Sequence, residues 1–134
     1  MLERLAVAAA IISVVVLATL ALRLVPALWR ARLRKTSDTA FASGTARSTV
    51  LYFFTPDCVD CRVRQAPALS ELERAHPGAF DLVKVDALAD ATLANRYHIL
   101  TVPSTVVLDA QGRVKDANLG FAPAELLKAQ LGLG

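Results

Sequence analysis

The chain has only two cysteines, Cys58 and Cys61, with Val59 and Asp60 between them. Two thiols at that spacing can close a small disulfide ring and reopen it by dithiol–disulfide exchange. The apolar run Tyr52-Phe53-Phe54 stops at Thr55-Pro56-Asp57, just before the pair, and a helical pattern begins just after it. A cysteine at the mouth of a helix meets unpaired backbone N–H groups and the positive end of the helix dipole, and both favour its thiolate. Cys58 is therefore the expected nucleophile, and Cys61, one turn further in, the expected resolving thiol. A purely structural disulfide is disfavoured, because so short a ring closes almost no loop entropy. Zinc would need two more ligands, and the spacing of His76 and His98 fits no zinc finger. No metal and no bound cofactor is expected.

Charges around the pair should tune it. The negative charge of Asp57 and Asp60 opposes a thiolate and raises its pKa relative to a neutral loop. A less stabilised thiolate makes the disulfide more stable and the couple more reducing. Arg62 and Arg64 partly offset this. Asp57 is also placed to act as a helix N-cap. The expectation is a reductant.

Holding the pair requires a strand before it and a helix behind it. Residues 49–54 form a continuous β-prone apolar run, as a strand covered on both faces does. From Cys58 to Arg74 the apolar residues Val63, Ala66, Leu69 and Leu72 recur at helical spacing and predict one buried face. Pro67 should kink this helix, and His76-Pro77-Gly78 ends it. Residues 80–85 read as a second strand, and 86–97 as a short helix packed through Leu93, Ala94 and Tyr97. Residues 104–108 read as a third strand and 113–118 as a fourth, joined at Asp109-Ala110-Gln111-Gly112 by a hairpin turn. A last helix runs over 123–131, with proline in its first turn and Gly132 at its end. The order is β-α-β-α-β-β-α, with the first two strands parallel and the last two antiparallel.

At 134 residues the chain has the length of one domain, and 54% of it is apolar. The excess lies in residues 5–22, which hold no charge. At about 1.5 Å per residue this block is long enough to cross a hydrocarbon core of about 30 Å. Extended through Trp29, it becomes a span with an interfacial aromatic, provided that Arg23 snorkels. A cleaved signal peptide is the alternative. Against it, Arg4 is opposed by Glu3, the apolar run is long, and Ala40-Phe41-Ala42 lies too far along to be a cleavage site. Arg23, Arg30, Arg32, Arg34 and Lys35 follow the block and mark a membrane edge rather than a nucleic-acid patch. Membrane lipid around residues 5–29 is thus an expected partner, and nucleic acid is not. The excess of positive charge after the span predicts that the bulk of the chain is cytoplasmic. The alternative is the extracytoplasmic side. Residues 36–48 are small, hydroxyl-rich and aperiodic, as flexible tethers are. The division is therefore a membrane anchor over 1–29, a basic flank and tether over 30–47, and a redox domain over 48–134.

The segment Phe53-Phe54-Thr55-Pro56-Asp57-Cys58-Val59-Asp60-Cys61-Arg62 resembles the active-site segment of the thioredoxin superfamily. Val83-Lys84-Val85-Asp86, Tyr97 and Thr101-Val102-Pro103-Ser104 resemble the approach to its cis-proline. Gln111-Gly112-Arg113-Val114 and Leu119-Gly120 resemble its closing hairpin. The resemblance covers 48–134 and implies an α/β, truncated thioredoxin-like fold with a four-stranded mixed sheet, preceded by one transmembrane helix and lacking the family's leading β-α unit. It implies a cis bond before Pro103, with the Val102 backbone presented to a substrate strand. Two departures bear on chemistry. The buried acid usual beneath the disulfide is Tyr52 here, which cannot accept a proton at neutral pH. Proton relay must then use water, Lys84 or another group, Lys84 being otherwise a strand-edge charge. The helix proline also falls one residue later than is usual.

The reading is a membrane-tethered thiol–disulfide oxidoreductase that acts on protein thiols and disulfides. Its electron donor is not encoded in any motif. The alternatives are a redox-inert binding or assembly module on the same fold, and an extracytoplasmic thiol relay for cytochrome or envelope-protein maturation.

Overall fold

The computed structural model describes residues 1–42, 44 and 46–134. A long helix α1 (Leu2–Leu33) comes first, then a single 3-10 turn (Thr39–Phe41). The sheet and its helices follow as β1 (Ser48–Phe54), a π-helical turn (Cys61–Gln65) leading into α2 (Ala66–Ala75), β2 (Phe80–Asp86), α3 (Ala91–Arg96), β3 (Ser104–Leu108), β4 (Val114–Leu119) and α4 (Ala124–Leu131). The four strands lie in the order β2-β1-β3-β4. β1 runs parallel to β2 and antiparallel to β3, and β3 runs antiparallel to β4. This is the mixed sheet that the pattern of apolar runs predicts.

Alternation along β1 sends neighbouring side chains to opposite faces. Val50 and Tyr52 pack with Leu69, Leu72, Leu127 and Leu131 of α2 and α4. Leu51 and Phe53 pack on the other face with Ala94 and Tyr97 of the α3 region. That second face is closed by the end of α1, because Trp29 and Leu33 are buried there. The Trp29 Nε1–H donates to the carbonyls of Tyr97 and His98, at 3.2 and 2.9 Å. The Arg30 Nε–H donates to the Ala117 carbonyl at 2.9 Å.

The sequence reads residues 36–48 as a flexible tether in which only Phe41, the one bulky residue, has the means to dock on the domain. Instead the segment is packed as far as Ala42, while Ser43 and Thr45 lie outside the described residues. Asp38 is buried and ion-paired with Arg96, and its backbone N–H donates to the Gly112 carbonyl at 3.0 Å. Phe41 packs against the Trp29 cluster. Gly112 makes this contact possible: its φ is +80°, and a Cβ there would lie 2.1 Å from the Asp38 carbonyl oxygen. Composition suggested a tether because small polar residues carry no periodic signal. The docking comes from Phe41, the backbone bond between Asp38 and Gly112, and an ion pair of which only the Asp38 end is buried, none of which periodicity registers.

Two further expectations are corrected. The predicted helix over 86–97 is shorter, because the Asp86 Oδ1 accepts the N–H of Leu88 and Ala89 in a turn, and Asp90 caps α3 by accepting the Leu93 N–H. Val63, expected on the buried face, is 66% exposed, whereas Gln65 is fully buried. The π-helical turn explains the change. Pro67 cannot donate to the Val63 carbonyl, and its ring crowds that carbonyl. The helix widens by one residue ahead of it, and the Ala66 N–H bonds to the Cys61 carbonyl five residues back. One inserted residue rotates the preceding turn by about 100° relative to α2. The buried line then reads Cys61, Gln65, Leu69, Leu72. The late proline seen in the sequence and the π-turn are thus the same event.

Candidate active site

Cys58 and Cys61 form a disulfide, with Cα atoms 5.3 Å apart. Cys58 is partly exposed, and Cys61 is 1% exposed. The Cys58 Sγ accepts the Cys61 backbone N–H at 3.1 Å. That contact is the N-cap interaction, so Cys58 takes the capping place that the sequence had offered to Asp57. Asp57 is exposed at the turn, where the Cys58 N–H donates to the Thr55 carbonyl at 3.2 Å. Asp60 pairs with Arg64 at 3.4 Å, one helical turn on. The Arg64 guanidinium also lies 4.1 Å from the centre of the Phe121 ring. Asp60 is thereby partly neutralised, whereas none of the described cations pairs with Asp57.

Tyr52 lies beneath the pair, 3% exposed. Its hydroxyl donates to the Cys61 carbonyl at 3.1 Å. Burial raises the phenol's pKa above its ordinary value. It therefore holds its proton throughout the neutral range and acts as a fixed donor to the backbone. Lys84 is the direct neighbour of Tyr52 across the β1–β2 pairing. Tyr52, Phe54, Pro56, Cys61, Ala66 and Lys84 line a cavity of about 230 Å³ that opens beside the buried sulfur. The cavity is large enough for several waters, given about 30 Å³ for each in the liquid.

Pro103 follows Val102 through a cis peptide bond. Val102 packs against the apolar cluster that holds both cysteines, Tyr52 and Phe54. The elements thus bring Cys58, Cys61, Tyr52, Lys84, Val102 and Pro103 together at one end of the sheet, with Asp57 and Asp60 around it. Sequence reasoning missed Gln65. Its amide is a two-way clamp: Nε2–H donates to the Ala122 carbonyl at 3.0 Å, and Oε1 accepts the Ala122 N–H at 2.8 Å. This ties the turn that carries Cys61 to the loop before α4. Only the late proline hinted that a polar residue at this position would turn inward.

The thioredoxin family model matches residues 32–131. The chain belongs to the thioredoxin family. It is 32% identical to the thioredoxin of Bacillus subtilis (strain 168) over 95 residues, which are 70% of this chain and 89% of that protein. It is 30% identical to a thioredoxin of Staphylococcus aureus over 94 residues, 69% of this chain and 88% of that one. Among solved structures, chloroplastic thioredoxin z superposes with a TM-score of 0.59 at 25% identity, covering 70% of this chain and 82% of its own. Thioredoxin-2, described as a component of malaria parasite protein secretion machinery, superposes at 0.61 with 23% identity, over 66% and 84% of the two chains, and speaks for the fold alone. The protein is a thioredoxin-family thiol–disulfide oxidoreductase with an active-site cysteine pair, and exchange with protein partners follows from the fold. Its apolar N-terminal helix is either a membrane anchor or a signal sequence.

Proposed function

We propose that this thioredoxin-family protein is a membrane-tethered reductant of protein disulfides. In the reduced protein the Cys58 thiolate attacks a partner disulfide. A Cys58–partner disulfide forms, and one partner thiolate leaves. The Cys61 thiolate then attacks the Cys58 sulfur, closing the Cys58–Cys61 bond and releasing the second partner thiolate. Two electrons pass to the partner, and an external dithiol restores the pair. The carrying observation is the contrast between the two sulfurs. Cys58 is accessible and accepts a backbone N–H, whereas Cys61 is buried beside a cavity. Tyr52 holds its own proton, so the Cys61 proton leaves through water in that cavity, with Lys84 beside it. Val102 and Pro103 present backbone to the substrate strand. The uncompensated Asp57, with Asp60, weights the couple toward reduction.

The anchor reading draws support from the packing of α1. Cleavage after Ala42 would remove Trp29, Leu33 and Asp38, all of them buried, from the domain core. In this reading residues 1–29 are the anchor, 48–134 carry the chemistry, and 30–47 join the two, docked on the domain as far as Ala42. The charge asymmetry about α1 favours a cytoplasmic domain.

The test is trapping. Cys61→Ser in cells should accumulate mixed disulfides that dithiothreitol releases and that Cys58→Ser abolishes. If Cys58→Ser retained wild-type insulin reduction, the redox role would be lost. Purely noncovalent partners would favour an assembly module. Labelling of the reduced pair by an impermeant maleimide on intact cells would place it on the outer side and favour the relay reading.

A further inference from the structure

Beyond the apolar block of residues 5–22, α1 still carries exposed apolar side chains. Val25 is 48% exposed and Leu28 is 62% exposed. Next to them stands Leu100, 68% exposed, on the loop between α3 and β3. Together with Trp29, Arg32 and His98, these residues line a cleft of about 290 Å³ between helix and loop. The loop is fixed to the helix, because the Trp29 indole N–H is held by the carbonyls of Tyr97 and His98. Leu100 therefore has a set height along α1, level with the turn from Val25 to Leu28.

That height is informative. At about 1.5 Å of rise per residue, Val25 lies about 5 Å and Leu28 about 9 Å beyond Leu22. The headgroup layer on each side of a bilayer is about 5–7 Å deep. A span that ends near Leu22 thus places Val25 among the headgroups and Leu28 at their outer boundary, with Leu100 level with the turn between them. Charge agrees with this level. Arg23 lies on its bilayer side and Arg32, Arg34 and Lys35 follow on its water side, and Arg32 lines the cleft beside Leu100. Basic residues at this level attract anionic lipid, and apolar side chains of an interfacial element insert among the acyl-chain ends.

We infer that Val25, Leu28 and Leu100 form one lipid-facing surface, through which the redox domain is seated on an anionic phospholipid membrane. This rests on α1 being a retained anchor. The Leu100 loop runs on to Val102 and Pro103, so seating it holds that edge of the redox site at the membrane boundary. The domain does not swing freely above the bilayer. It has one face for lipid and one for thiol exchange.

The full chain, reconstituted in vesicles of phosphatidylcholine and phosphatidylglycerol, tests this. Leu100→Trp reports on the loop. Ala75→Trp is the control: it is exposed at the end of α2, beyond the end of β1 where Ser48 pairs with Phe80, whereas Pro103 precedes Ser104 at the other end, where Ser104 pairs with Phe53. Trp29 is common to both variants, and its emission is subtracted using the unsubstituted chain. With lipids brominated near the glycerol end of the acyl chains, the added emission of Leu100→Trp should fall by about twofold or more, and that of Ala75→Trp should stay unchanged. Unquenched Leu100→Trp in a chain that floats with the vesicles overturns the inference, as does equal quenching of Ala75→Trp. A chain that does not float overturns the anchor reading, and the inference with it. Quenched Leu100→Trp in a chain without insulin reduction sustains the inference and removes only the reductant proposal.

Discussion

The Cys58 sulfur accepts the backbone N–H of Cys61 at 3.1 Å, so the proposed nucleophile caps its own helix. A negatively charged sulfur gains more from that N–H than a neutral one does. The nearby carboxylates act in the opposite sense, and they are not equivalent: Asp60 is paired with Arg64, and Asp57 is paired with no described cation. A negative charge beside the thiolate disfavours it, and an unpaired carboxylate does so more than one held by a guanidinium. Asp57→Asn should therefore lower the pH midpoint of Cys58 alkylation. Asp60→Asn should shift it less. Iodoacetamide rates on the reduced protein across pH measure both, and a larger shift for Asp60→Asn would contradict the pairing argument.

Tyr97 makes stability depend on alkaline pH. Burial, then Asp38, push its pKa up from 10.0 to about 12, with Arg96 opposing. The unfolded chain releases this proton near pH 10, and the folded chain keeps it. Its contribution is therefore fully present below pH 10 and is lost as pH rises toward about 12. The hydroxyl has no hydrogen-bond partner among the described residues. Tyr97→Phe should thus stay within about 1 kcal/mol of wild type at pH 7 and should melt higher than wild type at pH 11. Thermal unfolding in detergent at the two pH values decides this.

Gln65 and Val63 form a paired test of the π-turn. Gln65→Leu keeps the bulk but leaves the buried N–H and carbonyl of Ala122 without their clamp. It should cost about 2–4 kcal/mol and loosen the turn under Cys61. Val63→Glu, on the face that periodicity would bury, should change stability by no more than about 0.5 kcal/mol. A reversed order in the melting temperatures would mean that the helix is regular through this turn.

Trp29 tests whether the end of α1 belongs to the domain. Trp29→Ala removes a buried indole and both of its carbonyl bonds, at a cost of about 3–5 kcal/mol. A chain beginning at Ala46 should be destabilised at least as much as Trp29→Ala, because Leu33 and the Asp38–Arg96 pair go too. Equal melting temperatures for that chain and the full one would return residues 30–42 to the role of a tether.

Read by itself, the sequence determined the element order, the sheet with its antiparallel hairpin, the Cys58–Cys61 pair between strand and helix, and the apolar N-terminal helix. These are local signals: period-2 and apolar runs, turn residues, and two thiols at fixed spacing. Only the tertiary structure decided which face of the redox helix is inside, because one proline moves a whole turn through a one-residue widening. It alone decided that Cys58, not Asp57, caps that helix, and that Gln65 is a clamp. It also decided that Trp29, Leu33 and Asp38 complete the core, since long-range burial leaves no periodic trace in so short a segment. The pair was legible because its chemistry depends on spacing along the chain. Its surroundings were not, because they depend on residues that meet only after the chain has folded.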